Sequence, residues 1–286
     1  MILQMNATKK RLTTKAGLHI TGLLFFSIIL FSTATAQGNL LVTPKRVVFE
    51  GAKRSEELNI ANTGKDTATY IISFIQIRMT NDGQVQQIAE PDSLQNFADK
   101  YLRFFPRRIT LAPNEAQTVK VQVIRTGEIT PGEYRSHLYF RAVPNDKPLG
   151  EKEPETDNSI SVKLVPIFGI SLPVIIRNGE SSAQINFSNV LMDTTINPVL
   201  KMTLNRTGNI SVYGDVSVDY ISPSGKVTKV GMAKGLAVYT PNTIRNFSLQ
   251  LEAKPEIDYH QGKIHVAFTD QSAKPLKLAE EEVTLN

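Results

Sequence analysis

Catalysis and metal binding need particular side chains at particular spacings, and this chain offers few. It has no cysteine, so thiol nucleophiles, CxxC zinc sites, iron–sulfur clusters and disulfide frameworks are excluded. The histidines are His19, His137, His260 and His265, and none stands at metal-ligand spacing from another. His137 alternates with Leu138, which puts it on the opposite face of a strand as a surface or partly buried structural residue. There is no GxSxG elbow, no HExxH pair and no phosphate-cradling loop. Carboxylates gather at Glu151, Glu153, Glu155 and Asp157 and again at Glu280–Glu282, where they read as solvated loop and tail charge rather than an acid–base pair. Asn186, Asn205, Asn209 and Asn246 each open an Asn-x-Ser/Thr triplet, which matters only in a eukaryotic secretory route. The expectation is a protein that is not an enzyme and carries no metal or cofactor.

The elements that hold these residues begin after a leader. The whole chain has 32 Lys+Arg against 27 Asp+Glu, a balance that suggests nucleic acid until the charges are located. Lys9, Lys10, Arg11 and Lys15 fall before residue 37 with no acid beside them, which leaves 28 cations against 27 acids for the rest. No nucleic-acid partner is therefore expected. A basic start, an apolar run at Ile20–Phe31 and the small residues Ala34-Thr35-Ala36 have the layout of a secretory signal peptide cut after Ala36. The run is shorter than the ~20 residues a spanning helix needs. We read residues 1–36 as signal peptide and the remainder as exported.

From Gln37 onward the dominant pattern is period two. Val119/Val121/Val123, Val216/Val218/Tyr220 and Ile264/Val266/Phe268 alternate with polar residues, as in strands of antiparallel sheets buried on one face. Turn signals such as Asn81-Asp82-Gly83, Pro131-Gly132 and Pro223-Ser224-Gly225 punctuate the runs. Their spacing fits β-sandwiches. Leu94, Phe97, Ala98 and Tyr101 follow helical spacing after Ser93, so one short helix is expected there. The polar turn Arg177–Glu180 divides the strands into two sets, giving a first domain at 37–177 and a second at 178–286. The polar stretch Pro144–Ser159 reads as a long loop inside the first domain.

Four segments stand in order between Thr43 and Pro144. They are Thr43-Pro44-Lys45-Arg46-Val47-Val48-Phe49-Glu50-Gly51, Leu58-Asn59-Ile60-Ala61-Asn62, Pro106–Pro113 followed by Gln117–Val121, and Pro131-Gly132-Glu133-Tyr134-Arg135-Ser136-His137-Leu138-Tyr139-Phe140. Together they resemble the PapD-like chaperones that assemble pili in the Gram-negative periplasm. The resemblance covers most of the first domain; the second is similar only as another exported β-sandwich in the expected place. It implies an all-β fold of two immunoglobulin-like sandwiches set at an angle, with a cleft between them. It also implies a function: capping pilin-like subunits that lack a strand by lending one, then passing them to an outer-membrane usher.

The strand fit to be lent is Ser159–Val165, in which Ile160, Val162 and Leu164 share one face. Pro166 follows and cannot donate a ladder hydrogen bond, so the strand belongs at a sheet edge. Read from the residues alone, that apolar row either enters a client's groove or fills its own core. Three aliphatic side chains buried in a client are worth roughly 1.5–3 kcal/mol each. Ladder bonds add about 0.5–1.5 kcal/mol apiece, and one charge-assisted contact about 1.5–3 kcal/mol. The strand would therefore set affinity and the charge would fix register.

In the family resembled, a cleft Arg and a cleft Lys hold the client's C-terminal carboxylate. Arg46 matches the Arg, and its planar guanidinium suits bidentate capture of a carboxylate. No Lys matches: Ile170–Arg177 has Ser171 or Pro173 at that place, which leaves Arg46 alone or helped by Arg177 or another basic residue. Glu133 and Arg135 also stand in the reverse of the family's usual order. A different reading is a structural or adhesive envelope sandwich without clients. A carbohydrate-active enzyme lacks paired carboxylates and, at 7% aromatics, stacking surface. A free donor edge can also pair two copies into a dimer.

Overall fold

Period-two alternation becomes seventeen strands among the described residues, 39–144 and 167–285 of a computed structural model. The first ten are β1 (Leu40–Thr43), β2 (Val47–Phe49), β3 (Ser55–Asn62), β4 (Ala68–Met79), β5 (Val85–Ile88), β6 (Leu102–Phe105), β7 (Arg108–Leu111), β8 (Ala116–Val123), β9 (Gly132–Val143) and β10 (Gly169–Asn178). They form two sheets, β1-β3-β8-β6 and β2-β10-β9-β4-β5, with β7 also paired to β4. The opening segment divides between them: β1 runs antiparallel to β3, and β2 crosses to run parallel to β10. Inward residues from both sheets, among them Phe49, Leu58, Ile60, Val121, Leu138 and Phe140, make the first core. Each buried aliphatic or aromatic side chain there contributes roughly 1.5–3 kcal/mol.

The remaining strands are β11 (Ala183–Asp193), β12 (Val199–Gly208), β13 (Val212–Ile221), β14 (Val227–Val238), β15 (Ile244–Gln250), β16 (Lys263–Asp270) and β17 (Lys277–Thr284). They stack as β11-β12-β15 on β14-β13-β16-β17 around Leu200, Leu204, Val216, Val218, Ile264 and Phe268. The fold is all-β, built as two sandwiches with separate cores.

A third, smaller cluster joins them. Met79 and Ile175 from the first sandwich pack with Ala237 and Tyr239 from the second, flanked by Val48 and Tyr213. This explains the burial of β9, whose residues from Glu133 to Leu138 are all inaccessible. One face lines the first core and the other is covered by the second sandwich. His137, expected at the surface or partly buried, is only 5% exposed for that reason.

The helix expected after Ser93 does not form. Leu94 has φ +65°, outside helical space, and is 86% exposed. Gln95 turns inward instead, donating to the Ile77 carbonyl at 3.0 Å while its own oxygen accepts from the Asp92 N–H. A single 3-10 turn at Asp99–Tyr101 brings Ala98 and Tyr101 into the core. The spacing reported burial correctly but not conformation.

Candidate functional site

Alternation along β2 sends Val47 and Phe49 into the first core and Arg46, Val48 and Glu50 to the opposite side. That side faces a cleft of about 890 Å³ between the two sandwiches. The first sandwich contributes Lys45, Arg46, Lys53, Glu50 and Arg177, and the second contributes Tyr213, Lys234, Asp270 and Gln271. Five cationic side chains line it against two carboxylates, so its field favours an anion.

Arg46 stacks its guanidinium on the Tyr213 ring, 4.6 Å from the centroid. Its Nε and Nη2 are buried with no hydrogen-bond partner. Desolvation, the largest influence, pulls its pKa below the ordinary arginine value; Tyr239 and Glu133 oppose that, and Arg177 reinforces it. A guanidinium stays charged throughout, so burial leaves it with unfilled donor capacity.

Arg177 lines the same cleft but is already engaged. Its Nε donates to Glu133 Oε2 at 3.1 Å, its Nη1 reaches Glu50 Oε2 at 3.4 Å, and its Nη2 donates to the Ser211 carbonyl at 2.9 Å. Glu133, 4% exposed, is the centre of this junction. It also accepts from the Ser211 N–H at 3.0 Å, from the Ser211 hydroxyl, and from the Thr240 hydroxyl at 3.0 Å. A first-sandwich carboxylate is thus clamped by second-sandwich donors. Arg135 lies 4.3 Å over the Tyr239 ring and donates to the Thr240 carbonyl at 3.4 Å. Beside it His137 is held neutral, its pKa lowered to about 3 by burial first and by the Arg135 charge second.

Ile160, Val162 and Leu164 lie outside the described residues. The strand that follows them, β10, pairs with β9 over its full length. The Ala142 N–H donates to the Phe168 carbonyl, which with the register turns the main-chain groups of Ile170 and Leu172 toward β9. Those of Gly169, Ser171 and Pro173 therefore point outward. β2 reaches only Val174–Ile176, so among the described residues this outer edge has no partner strand from Gly169 to Pro173. Ile167 and Phe168, at its start, are 49% and 45% exposed.

Of the residues singled out from sequence, Arg46 and Arg177 come together in the cleft. Tyr213, Lys234 and the Glu133 clamp were missed. The Glu133 segment stood out only by its charge order, and no local pattern marks the others, because their roles depend on which sandwich faces which. Among the described residues, no group of His, Asp and Glu is placed to hold a metal ion.

No family model matches the chain, and no curated protein does. Solved structures do match. The Pseudomonas aeruginosa CupB2 chaperone is 15% identical, with 86% of this chain and 100% of that chain covered and a TM-score of 0.44. The CsuC–CsuE chaperone–tip adhesion subunit pre-assembly complex of Acinetobacter baumannii gives 11% identity, 84% and 98% coverage and a TM-score of 0.45. The E. coli chaperone DraB gives 13% identity, 86% and 96% coverage and a TM-score of 0.42. The chain is similar to these solved chaperone structures across 84–86% of its length, at low identity.

Proposed function

We propose that this chain is a divergent periplasmic chaperone of the PapD-like kind, which caps pilin-like subunits by strand donation and delivers them to an outer-membrane usher. The observation that carries the reading is the outer edge of β10. Its N–H and C=O groups at Gly169 and Ser171 have no partner strand among the described residues, and the segment just before them carries the apolar row Ile160, Val162, Leu164. An unpaired edge beside exposed apolar side chains is an aggregation hazard unless a partner strand is meant to occupy it. Arg46 would then anchor the end of that partner, its guanidinium donating to a terminal carboxylate. The same edge can pair two idle copies.

A fluorescent, soluble peptide of alternating valine and serine, made with a free C-terminal carboxylate and as the C-terminal amide, tests the anchor. The wild-type protein is expected to bind the acid at least about tenfold more tightly, the worth of one charge-assisted hydrogen bond. Arg46→Met keeps the packing stem and should erase that preference while moving Tm by less than about 4 °C. Equal binding of acid and amide by the wild type, or a large loss of stability in the variant, would make Arg46 a structural residue instead.

A further inference from the structure

We infer that the second cation of the carboxylate anchor is Lys234, on the second sandwich, so that a chain end would be gripped from both sides of the cleft. The inference rests on the proposed binding of a client terminus and adds the residue that no strand of the first sandwich supplies.

Lys234 sits in a β-bulge. Gly214 pairs with Leu236 and Val216 with Ala233, so Asp215 stands opposite both Lys234 and Gly235. An extra residue on one strand bends it and re-aims a side chain. The bulge is held from several directions. Asp215 Oδ1 accepts the Gly235 N–H at 2.8 Å and the Gln271 side-chain amide at 2.5 Å. Gly235 adopts φ +71°, a conformation that glycine takes without strain.

The bulge also lies on the cleft that Arg46 lines. A Cβ built on Gly235 would stand 2.9 Å from the Tyr213 hydroxyl, while Arg46 lies over the ring of that same tyrosine. Gly235, the bulge residue next to Lys234, thus borders the ring that Arg46 covers, and Lys234 and Arg46 line the one cleft.

The other cleft cations are less suited. Arg177 is held by Glu133, Glu50 and the Ser211 carbonyl, and Lys53 is paired with Glu56. Lys234 is exposed, lines the cleft and makes no ion pair or hydrogen bond among the described residues. Lys45 is likewise unpaired among the described residues, but it adjoins Arg46 in the link between β1 and β2 and no bulge directs it. A carboxylate held by one guanidinium and one ammonium from opposite walls would be fixed in position as well as charge-neutralised.

The test uses the mature protein, the acid and amide forms of the alternating valine–serine peptide, and Lys234→Gln, Lys45→Gln and Lys53→Gln. Lys234→Gln is expected to weaken acid binding about tenfold and leave amide binding within twofold, with Lys45→Gln and Lys53→Gln near wild type for both. If the wild type prefers the acid but Lys234→Gln keeps that preference, the assignment of Lys234 is overturned while the carboxylate anchor stands. A preference lost in Lys45→Gln instead would give the role to that residue. If the wild type shows no preference, the anchor itself falls and Lys234 with it. Circular dichroism of each variant separates these outcomes from misfolding; should Lys234→Gln unfold, Lys234→Met, which keeps the aliphatic stem without the charge and should lose the preference, decides in its place.

Discussion

At the scale of single residues, the junction is unusual in how many charges it buries and how unevenly it satisfies them. Glu133 receives four donors, whereas Arg46, Arg135 and His137 each keep at least one buried nitrogen without a partner. Buried groups in that state either cost stability or wait for a ligand. For His137 the cost has a direction. Its folded pKa of about 3 lies below the ordinary value of 6.5, so below about pH 6.5 the unfolded chain takes up a proton the folded chain refuses. Stability should therefore be full above that pH and fall progressively toward pH 3, by at most about 1.4 kcal/mol per pH unit from this group. His137→Phe, which leaves no buried ring nitrogen, should flatten urea midpoints across that window. A variant with the wild-type pH profile would show that His137 is not a source of the acid sensitivity. Sequence alone put His137 on the face away from Leu138, which is correct, but a face says nothing about what covers it.

At the scale of elements, strands were readable because alternation is set by the two-residue pleat itself. The runs around Val119, Val216 and Ile264 all became strands with the expected side inward. The segment after Ser93 failed because apolar spacing over a few residues reports only which side chains go inside; Leu94 and the Gln95 side-chain bonds then chose a turn. The bulge at Lys234 was invisible for another reason: it exists only once Asp215 is opposite, and no period marks it. β10 supplies a test that belongs to its backbone. Ser171→Pro removes an outward N–H while sparing the bonds to β9, and the native Pro173 already occupies an equivalent outward position. It should weaken peptide binding about tenfold with little change in Tm, measured by anisotropy and thermal melting. Unchanged binding would mean that the outer edge at Ser171 is not where a partner strand adds.

At the scale of the whole molecule, the two sandwiches are joined among the described residues by apolar contact and by hydrogen bonds at two places. One is the Glu133 clamp on Ser211 and Thr240. The other is the β4–β5 turn, where the Asn246 N–H donates to the Asn81 carbonyl at 2.6 Å and Asn242 donates to the Met79 carbonyl at 2.9 Å. Such a junction holds the walls of the cleft in a fixed relation, which suits a site whose cations come from both sides. None of these junction hydrogen bonds was legible beforehand. Asn81-Asp82-Gly83 read as a turn, but nothing in its letters says it docks on β15. The central claim concerns the free rim of β10, and amide hydrogen exchange reads it directly. In the free protein the Ser171 N–H should exchange quickly while the Leu172 N–H, bonded to β9, exchanges slowly; saturating alternating peptide with a free carboxylate should slow Ser171 to the rate of its neighbour. A Ser171 amide already protected in the monomer, or one left fast under saturating peptide, would contradict strand donation from this edge.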